Sequence, residues 1–234
     1  KYLSSYVIAN SNFEFETLPS NILNKKRIYN SFVDNKIYNT NQTKNYLLNK
    51  YNLKKNHLII GFVGRVEKSK DVLFTIKVLE KLNNEKKFHF FIIGQQNKSY
   101  LKEINTFIKK SHIKKNITFI NFEKNINKFI SGIDILISSS RNEAFGRILI
   151  EAMLQKTLLI CSNQGAHPEL INDGFNGLLF NKSDPNELTN ILNNLFELNN
   201  INQKIINNAY NYAYKNFYND NGLLEIIDIY NMDI

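Results

Sequence analysis

The chain has 234 residues, 43% of them hydrophobic and 22% charged, with a formal net charge of +9 and a pI near 9.4. That size fits one large or two small globular domains, with room for a doubly wound sheet. Its single cysteine, Cys161, rules out an intrachain disulfide framework, and no apolar run approaches the ~18–20 residues of a membrane-spanning helix.

In chain order, YVIAN (6–10) reads as a strand, and SNFEFETLPSNI follows with Ser11 as a helix cap and a turn at Pro19. KRIYNSFVD (26–34) reads as a short strand and turn, and the polar stretch 35–56 as one helix and a linker. From Leu58 a regular alternation begins. Strands are expected at 58–64, 88–94, 117–122, 134–138, 157–162 and 177–180. Helices are expected between them at 72–83, 100–111, 126–131 and 146–154, with a helical turn at 168–173 and closing helices at 184–199, 201–216 and 222–231. Continuous apolar strands separated by helices predict an α/β fold, a Rossmann-like doubly wound, mostly parallel sheet covered on both faces.

Ligands in such sheets sit beyond the C-terminal strand ends. That rule selects Gly64-Arg65, Gly94-Gln95, Phe122-Glu123 and the stretch from Ser138 to Gly146 as one rim. The stretch SSSRNEAFGRILIEAM (138–153) is the centre of it: a strand running out, a turn with glycine, and an apolar helix. Free N–H groups and the helix dipole favour an anion at such a tip. Ala144 to Arg147 would offer the amides there, with Phe145 packed under the turn. Arg65 and Lys70 would neutralise a diphosphate, Arg by its planar fork and Lys as a mobile charge; taken alone, both also read as solvated surface cations. Glu151 lies five residues past Gly146, about 7–8 Å along the axis at 1.5 Å per residue. That is a reach from a phosphate to ribose hydroxyls, which a carboxylate can accept. Glu143, before the helix, would face the sugar side.

These motifs resemble those of group 1 glycosyltransferases, the large retaining family with the GT-B fold, and of its C-terminal domain in particular. The family pattern E-x7-E, set in S-x-x-E-G-F-G-x4-E-A-M, stands here as Ser140-Arg141-Asn142-Glu143-Ala144-Phe145-Gly146 and Glu151-Ala152-Met153. Arg65 and Lys70 match G-R-x4-K-G; Gly165, Pro168 and Glu169 match G-G-x-P-E; Asp173 to Gly177 match D-G-x-N-G; Asn30 matches the linker I-x-N-G-x-D. Three positions depart from the pattern. Ala144, Asp71 and Ser31 stand where it has glycine, and none of the three is expected to touch a charged contact.

The resemblance implies roles for these residues. Arg65, Lys70, Gly146 and Arg147 bind the donor diphosphate, Glu151 the ribose, and Glu143, Ala144 and Phe145 the donor sugar, with Glu143 the catalytic candidate. Phe122 is the candidate base contact. No metal and no cofactor is expected, the nucleotide-diphosphate sugar being a substrate. His57, His89, His112 and His167 are scattered and read as structural or exposed. The implied activity is retaining transfer of the sugar to a hydroxyl acceptor, a surface glycan or lipid-linked saccharide. Residues 1–34 are expected to be the remnant of an N-terminal acceptor domain plus linker, 35–216 the nucleotide-sugar-binding domain, and 217–234 a crossover helix. The resemblance implies two Rossmann-like domains with the reaction between them, and the first sheet is not in this sequence, so a missing N-terminal domain is an expected partner and the fragment alone is expected to be inactive. The alternatives are a non-catalytic nucleotide-sugar-binding module, or a sugar-nucleotide epimerase or phosphorylase on the same fold.

The basic charge favours polyanions, anionic headgroups or phosphorylated ligands. Yet Lys, Asn and Ile are enriched throughout, and no RNP motif, helix-turn-helix signature or zinc spacing is present, so no nucleic-acid partner is expected. The single cysteine makes a reducing, cytoplasmic setting the expectation, with peripheral association at the inner membrane face as a further one; no signal peptide is visible, and one upstream of Lys1 would not be.

Overall fold

A computed structural model describes residues 6–32, 36–82, 86–198 and 202–231. Parts of several expected elements, among them the turn through Val33 and Asp34 and the ends of the helices at 83, 199 and 201, lie outside these residues.

Six strands form one parallel sheet: β3 (Leu58–Val63), β4 (Phe88–Ile93), β5 (Ile117–Ile120), β6 (Ile135–Ser138), β7 (Leu158–Ser162) and β8 (Leu178–Phe180). Their order is β5-β4-β3-β6-β7-β8, every pair parallel. The chain builds outward from β3 to β5, then returns to the middle and builds outward again from β6. The direction of winding therefore reverses between β3 and β6, and a crevice opens at their C-terminal ends.

The strands read as unbroken apolar runs because both faces are covered. On β4, Phe88, Phe90 and Ile92 pack on the side of helices α3 (Val72–Glu80), α4 (Lys98–Ile108) and α8 (Pro185–Leu198). Phe91 and Ile93 point the other way, toward α2 (Thr40–Lys50) and α5 (Ile126–Ile130). Strand β7 alternates likewise: Leu158 and Ile160 join the first cluster, while Leu159 and Cys161 join a third with α6 (Arg147–Leu154) and α9 (Gln203–Phe217). Each buried aliphatic or aromatic side chain is worth roughly 1.5–3 kcal/mol against exposure, so a one-residue slip of any strand would forfeit a whole face.

The leading residues form a small layer of their own, in which β1 (Val7–Ala9) pairs in parallel with β2 (Lys25–Arg27). Helix α1 (Asn12–Thr17) lies between them, capped by the Ser11 hydroxyl, which accepts from Glu14 N at 3.0 Å. Glu169 holds this layer to the main body. Its carboxylate accepts from the amides of Asn12 (2.8 and 3.0 Å) and Phe13 (3.3 Å) and from the Tyr29 hydroxyl. Burial, and then that bond to Glu169, push the Tyr29 phenol up to about 12. Helix α10 (Asn221–Asn231) joins the same layer through Gly222 N to Ser31 Oγ (3.0 Å) and Lys26 to Glu225 (2.8 Å).

Two local expectations change. His112–Asn116 forms a short 3-10 helix, capped by Ser111, where no element is expected. Helix α7 (His167–Leu170) stops at Leu170 instead of running to 173. The buried Asn176 amide takes the next backbone groups for itself, accepting from Asn172 N (2.7 Å) and donating to Leu170 O (3.1 Å), so a turn replaces the continued helix.

Candidate functional site

The rim selected by the strand-end rule is contiguous, since β5, β4, β3 and β6 are neighbours. Gly64 and Gly94 close β3 and β4 side by side. Gly94, at φ 135°, lies so close that a Cβ there would sit 2.1 Å from the Gly64 carbonyl oxygen. Only glycine permits that approach, and it keeps the rim flat beside Arg65 and Gln95. Arg65, Glu67, Gln95, Gln96 and Asn97 line an adjoining hollow of about 320 Å³. The Arg65 guanidinium is exposed and meets Glu67 at 3.2 Å.

At the winding reversal, the loop after β3 meets the loop after β6. Arg141 N donates to Ser69 O at 2.8 Å, lacing the two together. Lys70 and Glu143 meet across this seam: the ammonium donates to both carboxylate oxygens at 2.8 and 2.7 Å, with side chains 19% and 14% exposed. Ser140 Oγ adds a third bond to Glu143 at 2.8 Å.

The backbone of Glu143 is held from the other side. Gly165, at φ 61°, rests on it; a Cβ there would lie 2.4 Å from Glu143 N and 2.5 Å from its oxygen. Ala166 N donates to Glu143 O at 2.8 Å. His167 supports the same turn. Its Nδ1 donates to Ser162 O (2.8 Å), which leaves Nε2 to accept from Ser138 Oγ (3.1 Å). Full burial lowers its pKa and keeps the ring neutral, with Nε2 4.0 Å from Glu143. His167 is thus structural and belongs to the support of the site. Its signal in the sequence was its place between Gly165 and Pro168.

Helix α6 begins at Gly146, whose left-handed backbone (φ 85°, ψ 53°) turns the chain into the helix next to Glu143. Ala144 is not among the residues with positive φ, so alanine for glycine costs no strain there. The Phe145 ring points into the core, 5.7 Å from Tyr29 and 5.9 Å from Phe217, so only its backbone is available to a ligand. Arg147 lies exposed at the helix tip, 5.3 Å over the Phe32 ring. Glu151, one turn further, is partly buried, and its carboxylate has no hydrogen-bond or ion-pair partner among the described residues; burial raises its pKa, opposed by the Arg147 charge. Phe122, past the end of β5, is 78% exposed. The fold thus joins Lys70, Glu143 and Gly146 in one place, and sets Arg65 and Phe122 along the rim and Glu151 down the helix.

One expectation is overturned. Asp71, in place of the pattern's glycine, does make charged contacts: Oδ2 meets Lys182 Nζ at 2.7 Å and Arg141 Nε at 3.0 Å. Neither Lys182 nor the support residues Ser140 and Gly165 stood among the expected site residues. Among the described residues, no group of three or more His, Cys, Asp or Glu is arranged to hold a metal. No described helix is long and apolar enough to cross a membrane.

The family model described as glycosyl transferases group 1 matches residues 44–212. The chain belongs to this family. Among its relatives is an uncharacterized 41.2 kDa protein in the cps region of Klebsiella pneumoniae, 29% identical over 191 residues, 80% of this chain and 50% of that protein. Another is an uncharacterized glycosyltransferase of Methanocaldococcus jannaschii, 31% identical over 54% of this chain and 35% of its own. The chain spans half or less of the length of these curated relatives. The fold is that of GT-B glycosyltransferases. The crystal structure of Anabaena HepE in complex with UDP and glucose superposes with a TM-score of 0.88 at 24% identity, over 97% of this chain and 63% of that one. The C-terminal domain of a group 1 family glycosyl transferase (LpcC) from Francisella tularensis superposes at 0.66 with 25% identity, covering 76% of this chain and 92% of that domain. The group 1 chain described here therefore corresponds to the family's C-terminal domain.

Proposed function

We propose that this chain is the donor-binding half of a retaining glycosyltransferase, taking a nucleotide-diphosphate sugar and passing the sugar to a hydroxyl acceptor. The observation that carries the reading is the bidentate Lys70–Glu143 pair at the winding reversal, beside the tip of α6 and one strand from Arg65. The bond between the sugar's anomeric carbon and the β-phosphate oxygen breaks with its electron pair on the diphosphate, and a bond to the acceptor oxygen forms as that oxygen's proton passes to the departing diphosphate. Lys70, Arg65, Arg147 and the amides from Ala144 to Arg147 offset the charge growing on the departing diphosphate. Glu143 faces the sugar, the unpartnered Glu151 accepts from the ribose, and the exposed Phe122 ring offers a face to the base.

The acceptor is a surface glycan or lipid-linked saccharide. Supporting it, the K. pneumoniae relative is described as lying in a cps region, and another relative, 26% identical, is a lipopolysaccharide core biosynthesis mannosyltransferase of Rhizobium leguminosarum. On this reading an N-terminal acceptor domain completes the cleft, residues 1–34 and 217–234 join the two halves, and the reaction takes place in the cytoplasm at the membrane's inner face.

A thermal-shift screen of UDP-, GDP-, ADP- and CMP-sugars tests the donor site, with UDP first because a structure of this fold holds it. One nucleotide should raise the melting temperature of the wild type and fail to raise that of Glu151→Gln. Without ligand the same variant should be the more stable one at neutral pH, by about 0.5–1 kcal/mol. The sign follows from the raised pKa. The folded state binds the Glu151 proton more tightly than the unfolded state, so ionisation costs stability as pH rises through the folded pKa, and glutamine removes that cost. Equal ligand shifts in both proteins would remove Glu151 from the site.

A further inference from the structure

Asp71 occupies a strained position that its own helix does not reward. Its backbone is left-handed, at φ 47° and ψ 44°, a region costing a non-glycine residue about 1 kcal/mol or more. It stands at the N-cap of α3, where an aspartate usually accepts from the first helical amides, yet it makes no such bond. The carboxylate is turned instead to Lys182 (2.7 Å) and Arg141 (3.0 Å), with the Tyr100 hydroxyl 3.5 Å from the other oxygen.

Lys182 arrives from far along the sheet. It follows β8, and its side chain passes the end of β7 to the end of β6, where it also donates to Ser139 O. It is 13% exposed, against 67% for Arg141, so the Asp71–Lys182 contact is the shielded one. Burial lowers the Lys182 pKa, opposed by its bond to Asp71. Ser139 completes the tie: its hydroxyl bonds the carbonyls of Lys70 (3.2 Å) and Asp71 (3.0 Å) and meets Thr75 Oγ1 at 3.0 Å. The next residue, Ser140, holds Glu143. One ion pair thus fastens the residue after Lys70 to the strand end that leads into Glu143.

We propose that Asp71 and Lys182 form a positioning pair that holds Lys70 against Glu143, and so sets the ammonium that meets the donor's diphosphate. The last clause rests on the donor-site reading above; the holding of Lys70 does not. Neither residue is a catalytic residue, since each acts through Lys70.

The test has one arm without ligand and one with it. In the 234-residue chain, Lys70→Met, Glu143→Gln and their double variant give melting temperatures whose non-additivity reports the Lys70–Glu143 coupling. That non-additivity should fall to half or less when Lys182→Met or Asp71→Asn is added, and should survive Lys182→Arg. Asparagine and glycine both tolerate the left-handed backbone, so Asp71→Asn and Asp71→Gly remove the charge and not the conformation. If a single variant leaves a buried charge and fails to fold, Asp71→Asn/Lys182→Met removes both charges and carries the same comparison. A coupling unchanged in these backgrounds overturns the proposal. In the second arm, calorimetric titration with inorganic pyrophosphate should show roughly tenfold weaker binding in Asp71→Gly and Lys182→Met, with Lys182→Arg near wild type. Wild-type affinity in all of them would overturn the link to the diphosphate. A wild type that binds neither pyrophosphate nor any of the nucleotide sugars defeats the donor-site reading instead, and the first arm alone then decides the pair.

Discussion

Two lysine–carboxylate pairs are built at opposite ends of the sheet, and they are nearly identical as pairs. Lys70 holds both oxygens of Glu143 at 2.8 and 2.7 Å at the C-terminal end. Lys44 holds both oxygens of Asp134 at 2.6 and 2.7 Å at the N-terminal end. Their surroundings differ. Asp134 Oδ2 also accepts from Ile59 N (2.8 Å), its amide donates to Ile59 O (2.9 Å) and its carbonyl accepts from Leu158 N (3.2 Å), so it ties the starts of β3, β6 and β7 together. Glu143 binds no strand through its carboxylate; its third partner is a serine hydroxyl, and it stands on a turn between Ser140 and Gly146. The first pair is part of the scaffold, and the second is available to exchange partners. The chemistry of a buried ion pair does not distinguish the two; the end of the sheet and the backbone bonds do.

The comparison breaks most visibly at Asp134. Asp134→Asn should cost about 3 kcal/mol in denaturant unfolding, because Lys44 loses its counter-charge in a partly buried place, and pyrophosphate affinity per folded molecule should stay unchanged. A small loss there, or a loss of pyrophosphate binding, would erase the distinction between the pairs. Glu143→Gln should cost as much, ~3 kcal/mol, because Lys70 loses its counter-charge in a place no more exposed. Unlike Asp134→Asn, it should also weaken pyrophosphate binding several-fold by calorimetry, since Glu143 orders the Lys70 ammonium. Unchanged or tighter binding would mean that Glu143 competes for Lys70 more than it orders it.

The smallest effect concerns pH and sharpens the scaffold side. Burial holds His89 near 4, with Nε2 bonded to Thr118 Oγ1 at 2.8 Å. Its folded pKa lies below the unfolded value of 6.5, so the unfolded state takes up the extra proton and stability falls as pH drops from 6.5 toward 4. The loss should reach up to about 2 kcal/mol by pH 5, and His89→Gln should flatten that part of the curve. A variant with the wild-type slope would assign the acid lability elsewhere, first to the buried His167.

Much of this was legible in the residues. Period and apolar runs predict the alternation from Leu58 to Phe180, and the strand-end rule picks out the rim from Gly64 to Gly146, because both depend on nearest neighbours in the chain. What was not legible depends on distant partners. Nothing local to Asp71 points to Lys182, 111 positions further on by subtraction of the two numbers. Nothing in the helical look of residues 168–173 shows that Asn176 will take the backbone groups that would have continued the helix. Phe145 is the mixed case: its place in the motif suggested the ligand, its apolar ring suggested the core, and its ring lies in the core.

The carboxylate of Glu169 joins two amides at the start of α1 and the Tyr29 hydroxyl, which lies 140 residues before it in the chain. Between these two anchor points run Lys25, Lys26 and Arg27, three consecutive tryptic sites held in β2. Glu169→Ala should loosen the whole leading layer at once, and limited trypsin digestion should then cut at β2 at least several-fold faster while the six-stranded body stays intact. One side chain outside the site would thus set the proteolytic lifetime of the layer that carries β1, α1 and β2.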